Sequence, residues 1–600
     1  MKHPSYILLI SCLLLVACNR PDNAGNPICM NQLGFAPHQE KTATIDVHSL
    51  DEPPCKAFIL NTTGDTVWSG IASPTMPNPV SGKPRQIVDF SSLTTEGEYT
   101  LCVLNSQNSQ ILHTASADRS RLCRDKKSSN LQIAIGDRPY RELTRAALRA
   151  FYHQRASMPT EEPFAEGYAR PAGHPDDHVL VHPSAATDER PAGTLISSPG
   201  GWYDAGDYNK YIVNSGFTMG VWLMAYELNK AYFDTLRLNI PESSIAYLPD
   251  MLAEAMYNLR WMLTMQDTDG GVYHKLTEPD FESFIAPDQC RKPRYVVMKT
   301  TAATLDFAAS MAMAARVYAP FDSAFTQQAT EAAKRAYAWA LEHPDVYYNQ
   351  DAMNAQFKPE ITTGAYPDTC VADEFYWAKT ELYLLTKEPE YNENPHPTFV
   401  YKPAAWGNVA ELADIEWMMH PDEGGHFSIV REAQLLAYLK QDLKDAETIS
   451  VHRCPYGNCE NDFFWGCNSE GCCWRGVECL YAYRLTGDEQ YRINAERCLN
   501  YILGQNATGY CYVTGFGSRP TSHPHHRLSY TNPHGTIPGF LAGGPNPAQQ
   551  DRITDGVKYP KNVPADESYL DFQPSYASNE VTINWNVTLF ALTAGIDALE

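Results

Sequence analysis

Positive charge is scarce in this chain: 47 Lys and Arg stand against 71 Asp and Glu, a formal net charge of -24 over 600 residues. Such an acidic protein repels nucleic acid, anionic lipid and anionic polysaccharide at long range, which leaves a neutral substrate as the simplest fit. Long apolar runs are just as scarce. The one at 6–17 follows Lys2 and His3, and its twelve positions are too few to span a bilayer, so it reads as the apolar region of a signal peptide covering 1–17. Small residues before a Cys in Leu15-Val16-Ala17-Cys18 have the form of a bacterial lipobox. Cys18 is therefore expected to carry lipid and to hold the exported protein on a bacterial membrane, at the outer membrane, the cell surface or the periplasmic face, as its only attachment. An ordinary secretory signal with an incidental Cys is the alternative. Two clean close pairs of Cys, the usual mark of a zinc ribbon, are missing too. Of the 16 Cys, six crowd at Cys454, Cys459, Cys467, Cys472, Cys473 and Cys479, and a helix with free or paired thiols is the plainer reading of them.

What is present is a globular composition, 44% hydrophobic and 11% aromatic, long enough for one large core and a smaller domain. A polar Pro- and Gly-containing stretch at 18–28 reads as a tether. From 29 to 115 the pattern is β: residues 41–48 alternate, Phe58-Ile59-Leu60 and Thr66-Val67-Trp68 flank a turn at 61–65, and Tyr99, Leu101 and Val103 share one face. These strands predict a small sandwich. The period then turns helical from 125 to the end, with predicted helices at 299–318, 326–343, 373–386, 430–438, 488–505 and 581–599. Leu485-Thr486-Gly487-Asp488 places a helix-ending Gly before a helix-capping Asp, the form of a helical hairpin. Long loops rich in Gly, Pro, Trp and His run between the helices and carry nearly every unusual motif, so a site at one end of a helical scaffold is expected.

Two of those motifs bear carboxylates: Gly201-Trp202-Tyr203-Asp204-Ala205-Gly206-Asp207, and Tyr576-Ala577-Ser578-Asn579-Glu580. An acidic pair on a Gly-containing turn, facing a Glu among aromatics, suits hydrolysis of an acetal by general acid and base. Tyr576 and Trp585 would give Glu580 an apolar pocket that keeps it protonated near neutral pH. For a lone Asp204 the bland reading is a turn cap. A third constellation, Tyr512-Val513-Thr514-Gly515-Phe516-Gly517-Ser518 followed by Pro524-His525-His526-Arg527, offers fixed donors for sugar hydroxyls, and the adjacent Arg argues against a metal there.

Together these segments resemble glycoside hydrolase family 9. Gly200 to Asp207 matches the family's base motif and Val513 to Arg527 its first signature. Tyr569-Leu570-Asp571, Tyr576, Glu580, Thr582 and Asn586 match its second signature, which departs only at Val587. The resemblance implies a mainly α fold, an (α/α)6 barrel preceded by a small all-β immunoglobulin-like sandwich, and single-displacement, inverting hydrolysis of β-1,4-glucosidic bonds. It implies Asp207 as general base, Asp204 as its partner on the attacking water, and Glu580 as general acid. His525, Arg527, Asp571, Tyr576 and Trp202 would bind the sugar, with Asp571 orienting Arg527. No cofactor is implied for the chemistry. A structural calcium is implied at Asp373 and Glu374, against the plain reading of a salt-bridged helix start. The zinc site of relatives is not expected: Arg155 is followed by Ala156, and Arg170 to Asp177 contains no Cys. The expected function is endo-acting hydrolysis of cellulose or a related β-glucan, mixed-linkage glucan or xyloglucan. The alternatives are an exo-acting β-glucosidase or glucosaminidase of the same family and an inactive glycan-binding surface lipoprotein.

Overall fold

The structure, a computed structural model, describes residues 28–47, 54–105, 132–392, 402–424, 426–449, 455–457, 463–554 and 556–599. The signal peptide, Cys18 and all of the tether but residue 28 lie outside the described residues, as do Cys454 and Cys459.

The N-terminal part is a sandwich of two four-stranded antiparallel sheets. One has β1 (Ile28–Cys29), β2 (Thr42–Asp46), β5 (Met76–Pro77) and β6 (Pro84–Asp89) in the order β1-β2-β6-β5; the other has β3 (Pro54–Asn61), β4 (Thr66–Gly70), β7 (Gly97–Asn105) and β8 (Gln132–Ile135) in the order β4-β3-β7-β8. The β3–β4 hairpin turns at Asn61, whose Oδ1 accepts the Thr63 and Asp65 N–H groups. Ala43, Ile45, Ile59, Val88, Leu101 and Val103 fill the space between the sheets. Strand β8 lies beyond 115, on the far side of the polar stretch, so the sandwich borrows its last edge from the run of chain that leads into the first helix.

The rest is helical. The long helices are α1 (Arg141–Gln154), α2 (Ile212–Leu228), α3 (Asp250–Thr264), α4 (Thr301–Tyr318), α5 (Ser323–Glu342), α6 (Ala372–Thr386), α7 (Ala410–Met419), α8 (His426–Ile449), α9 (Trp474–Thr486), α10 (Glu489–Ile502) and α11 (Ile583–Asp597). Helices α2, α4 and α11 are buried nearly all round and form part of the inner ring of the (α/α)6 barrel. Helix α5 buries one stripe, including Ala329, Ala332, Ala336 and Ala340, as an outer helix does. Asp322 starts α5 by accepting the Phe325 N–H, and Asp488 starts α10 by accepting the Gln490 N–H after Gly487 has ended α9 at φ +68°. A small mixed sheet, absent from the sequence reading, accompanies the helices: β9 (Val179–Val181), β10 (Leu195–Ile196), β11 (Lys210–Tyr211), β12 (Lys275–Thr277) and β13 (Tyr295–Val296), ordered β10-β9-β13-β12-β11. No helix among the described residues is long and apolar enough to cross a membrane.

Candidate active site

Asp204 and Asp207 lie just before β11 and α2, Tyr366 before α6, Trp406 before α7, and Glu580 before α11. These helices begin at one end of the barrel, and their leading segments enclose a cavity of about 1050 Å³ lined by all five residues. The segments are bonded to one another: Ile583 N–H donates to the Asp204 carbonyl, His525 N–H to that of Asn579, and Arg527 N–H to that of Gly206. Gly206 is required by contact, because a Cβ there would stand 2.1 Å from the His525 carbonyl oxygen.

Asp204 accepts from Asn214 Nδ2 at 2.6 Å on Oδ1 and from the Tyr366 hydroxyl at 2.6 Å on Oδ2. Asp207 Oδ2 accepts from the Asn209 side chain and, at 3.3 Å, from the Tyr211 hydroxyl. Burial, then the charge of Asp207, pushes the Asp204 carboxyl up to about 8, against the donors that favour its ionised form. Burial also raises Asp207, with Arg527 the leading opposition. Glu580 rises to about 8 through burial and then the charge of Asp207, opposed by Arg527 and by a bond from the Gly206 N–H. The cavity thus holds two carboxyls, Glu580 and Asp204, that keep their protons at neutral pH. Asp207 lines the same cavity, and both aspartates are supplied with donors.

His525 Nδ1 lies 2.9 Å from the Gln573 carbonyl, which can only accept, so Nδ1 carries the proton. Burial and Arg527 pull this imidazole down to about 4, so it is neutral and Nε2 is an acceptor. Arg527 donates to the Gly206 carbonyl at 2.8 Å and to the Glu282 carbonyl at 2.7 and 3.0 Å, with its guanidinium over the Phe284 ring. Tyr576 lines the cavity, its ring 5.3 Å from Trp465.

Residues 140–593 match Glycosyl hydrolase family 9, and residues 23–108 match the Cellulase N-terminal ig-like domain. The chain belongs to glycosyl hydrolase family 9. It is 45% identical to the Xyloglucan-specific endo-beta-1,4-glucanase BoGH9A of Bacteroides ovatus, over 100% of this chain and 99% of that protein. It is 30% identical to a Cellulose 1,4-beta-cellobiosidase of Acetivibrio thermocellus, over 95% of this chain and 67% of that protein. Among solved structures, that of Bacteroides ovatus GH9 superposes with a TM-score of 0.85 at 44% identity, covering 96% of this chain and 99% of the other.

Within this family 9 hydrolase, two expected sugar-binding residues stand elsewhere. Trp202 is fully buried among Phe151 and Trp222, its indole N–H bonded to Glu254, because the turn after Gly201 sends it into the core while Asp204 faces the cavity. Asp571 does not meet Arg527; it accepts from the Ser522 and His523 backbone N–H groups and from Asn579 Nδ2, and so braces the segment leading to His525. Cys467 and Cys511 are buried and do not line the cavity.

Sequence reading missed Tyr366, Trp406, Trp465, Phe284 and Glu470, all in the cavity wall. No motif marks them. Glu470 sits on a π-helical turn, Asn468–Cys473, and burial alone pushes its carboxyl up to about 7.

In the segment from Arg170 to Asp177, His174 is bonded at Nδ1 to the Tyr203 hydroxyl at 2.8 Å and at Nε2 to Glu278 at 3.0 Å. Glu278 and Cys290 approach it closely enough to share an ion, but both ring nitrogens are already engaged. A second cluster, Glu227, Glu416 and His420, surrounds the Arg316 guanidinium. Asp373 and Glu374 begin α6, and among the described residues neither has a cationic partner; Asp373 Oδ2 accepts the Val409 N–H at 2.9 Å. Both oxygens of Glu374, both of Asp306 and Oδ2 of Asp368 are buried without a donor. Burial and mutual repulsion push Glu374 and Asp306 well above the usual carboxylate range. Oxygen-only, anionic and undersupplied with donors, this set has the donor chemistry of a hard divalent cation such as calcium, but no three of its carboxylates bring ligand oxygens within 4.8 Å of one another.

Proposed function

We propose that this chain hydrolyses β-1,4-glucosidic bonds within glucan chains by single displacement, with xyloglucan as its preferred polymer. Asp207 takes the proton of the attacking water, Asp204 helps hold that water, and Glu580 protonates the departing oxygen. His525 Nε2 accepts a sugar hydroxyl, and Trp406, Trp465, Tyr576 and Trp585 offer flat faces to pyranose rings. The reading is carried by the meeting of Asp204, Asp207 and Glu580, nearly the length of the barrel apart in sequence, in one cavity. The full-length likeness to a xyloglucan-specific endoglucanase supports the choice of polymer.

The test is product analysis on xyloglucan, mixed-linkage glucan, carboxymethylcellulose and chito-oligosaccharides. Endo action predicts rapid loss of viscosity and intermediate oligosaccharides, and inversion predicts that NMR detects the α-anomer first. Release of only mono- or disaccharides would overturn the endo reading, and a β-anomer formed first would overturn inversion. Calcium held near Asp306, Asp368, Asp373 and Glu374 would brace the start of α6, beside the segment that carries Tyr366, and takes no part in bond cleavage. Lipid on Cys18 would tether the enzyme to a membrane; a Cys18→Ser protein is expected in the soluble fraction, and persistent membrane fractionation would count against it.

A further inference from the structure

Behind the two aspartates lies a lysine that the catalytic scheme does not use. Strand pairing sets Lys275 opposite Tyr211, and the β alternation puts Lys275 and Thr277 on the face that meets residues 363–366. Lys275 is fully buried, and no carboxylate contacts its ammonium among the described residues. Its Nζ instead reaches Gln350 Oε1 at 2.8 Å, Thr363 Oγ1 at 3.1 Å and the Gly364 carbonyl at 2.6 Å. With the Thr363 carbonyl at 3.5 Å as a fourth, these acceptors engage all three protons of an ammonium, whereas the lone pair of a neutral amine would face an oxygen. The rings of Tyr348 and Tyr211 lie 5.2 and 5.5 Å from Nζ and add cation–π support.

Two arms run forward from this ammonium. In the first, Lys275 donates to Thr363 Oγ1, which lies 2.6 Å from Thr277 Oγ1; the Thr277 hydroxyl donates to Asn209 Oδ1 at 3.1 Å, and Asn209 Nδ2 donates to Asp207. When the Thr277 proton points to Asn209 rather than to the Glu278 carbonyl at 2.8 Å, every donor in that chain points toward Asp207 and each bond polarises the next. In the second, Lys275 fixes the Gly364 carbonyl, His274 the Ala365 carbonyl at 2.9 Å, and Gln350 the Thr363 carbonyl at 3.0 Å. That strap delivers Tyr366, at φ +47° in the left-handed region, to Asp204. An aromatic residue holds such a backbone only when its surroundings impose it.

We propose that Lys275 is a positioning residue that sets the geometry and the charge of both aspartates from behind the cavity. This rests on the reading of Asp207 as base and Asp204 as its partner. The buried cation favours the ionised form of Asp207, and burial, which pulls the Lys275 ammonium well below its ordinary range, is opposed by Asp207 in turn.

The experiment compares full-length Lys275→Met, Thr363→Val and Asp207→Asn with the parent, on one soluble glucan, across pH. Lys275→Met is expected to lower kcat about 10- to 100-fold with KM little changed. It should also move the acid limb of kcat/KM to higher pH, since Asp207 loses its cation. Thr363→Val, which cuts the first arm but keeps the charge, is expected to lower kcat with a smaller shift of that limb. A Lys275→Met enzyme whose acid limb stays in place overturns the proposal, whatever its kcat, because a scaffold role alone moves no titration. Should that variant fail to fold, Thr363→Val decides, and parental kcat and acid limb in it overturn the proposal. Parental turnover in Asp207→Asn would instead sink the assignment of the base.

Discussion

Glu580 is held with its proton by its surroundings, and this has a measurable cost. A carboxyl whose folded pKa is raised to about 8 binds more protons in the folded state than in the unfolded chain between about pH 4.5 and 8. Stability therefore falls as pH rises through that window and levels off above it. Glu580→Gln removes the titration, so its melting temperature is expected to match the parent near pH 4 and to exceed it by a growing margin up to pH 8. The same variant should lose about 10²- to 10⁴-fold or more in turnover of unactivated glucan while still binding it. Calorimetry at several pH values checks the first expectation; equal melting shifts at pH 4 and pH 8 would contradict the raised pKa. At this scale the convergence of Asp204, Asp207 and Glu580 on one cavity was legible, because acid and base hydrolysis of an acetal calls for carboxylates beside particular turns. Trp202 was not, since residue type does not say whether a side chain next to Gly201 faces the cavity or the core.

Elements were legible where a period had room to repeat. Helices α4, α5, α6 and α10 stand within three residues of their predicted ends, and the Gly487-Asp488 hairpin closes as its residues imply. Strands β9 to β13, two or three residues each, are too short to show alternation, yet they carry the network behind the aspartates. Two glycines separate contact from backbone strain. At Gly487 a Cβ meets nothing within 4 Å, so Gly487→Ala is expected to cost about 1 kcal/mol in urea unfolding through φ alone, with activity intact. Gly206→Ala drives a Cβ into the His525 carbonyl and should separate Asp207 from the Glu580 segment, lowering kcat by about 10²-fold or more. Normal kinetics in Gly206→Ala would mean the two segments do not need this approach. At the start of α6, chelation by EDTA is expected to lower the melting temperature and calcium to restore it, because the unsatisfied carboxylates then repel. An unchanged melt would leave that cluster without an ion to lose.

Across the whole molecule, the sandwich braces the two segments that carry the signatures. Asn78 Nδ2 donates to Asp566, and Lys83 pairs with Glu567, just ahead of Tyr569 and Asp571. Gln32 reaches the other segment: its Oε1 accepts the Ser518 and Arg519 N–H groups at 2.9 Å, its Nε2 donates to the Gly509 carbonyl, and its own N–H bonds the Leu503 carbonyl at 3.0 Å. Glu40 pairs with Arg497, and Arg85 with the Tyr456 hydroxyl, along the same face. None of these pairs was legible, because partners hundreds of residues apart leave no mark in local periodicity. The sandwich and the barrel are therefore expected to melt together. Gln32→Ala leaves two backbone donors of the 509–519 turn without their acceptor, which should cost about 1–3 kcal/mol in denaturant unfolding. Because that turn leads to His525 and Arg527, the same variant should also raise KM for glucan below its melting point. Loss of stability with unchanged KM would confine the sandwich to a stabilising role, and no change in either would remove Gln32 from the joint between the two parts.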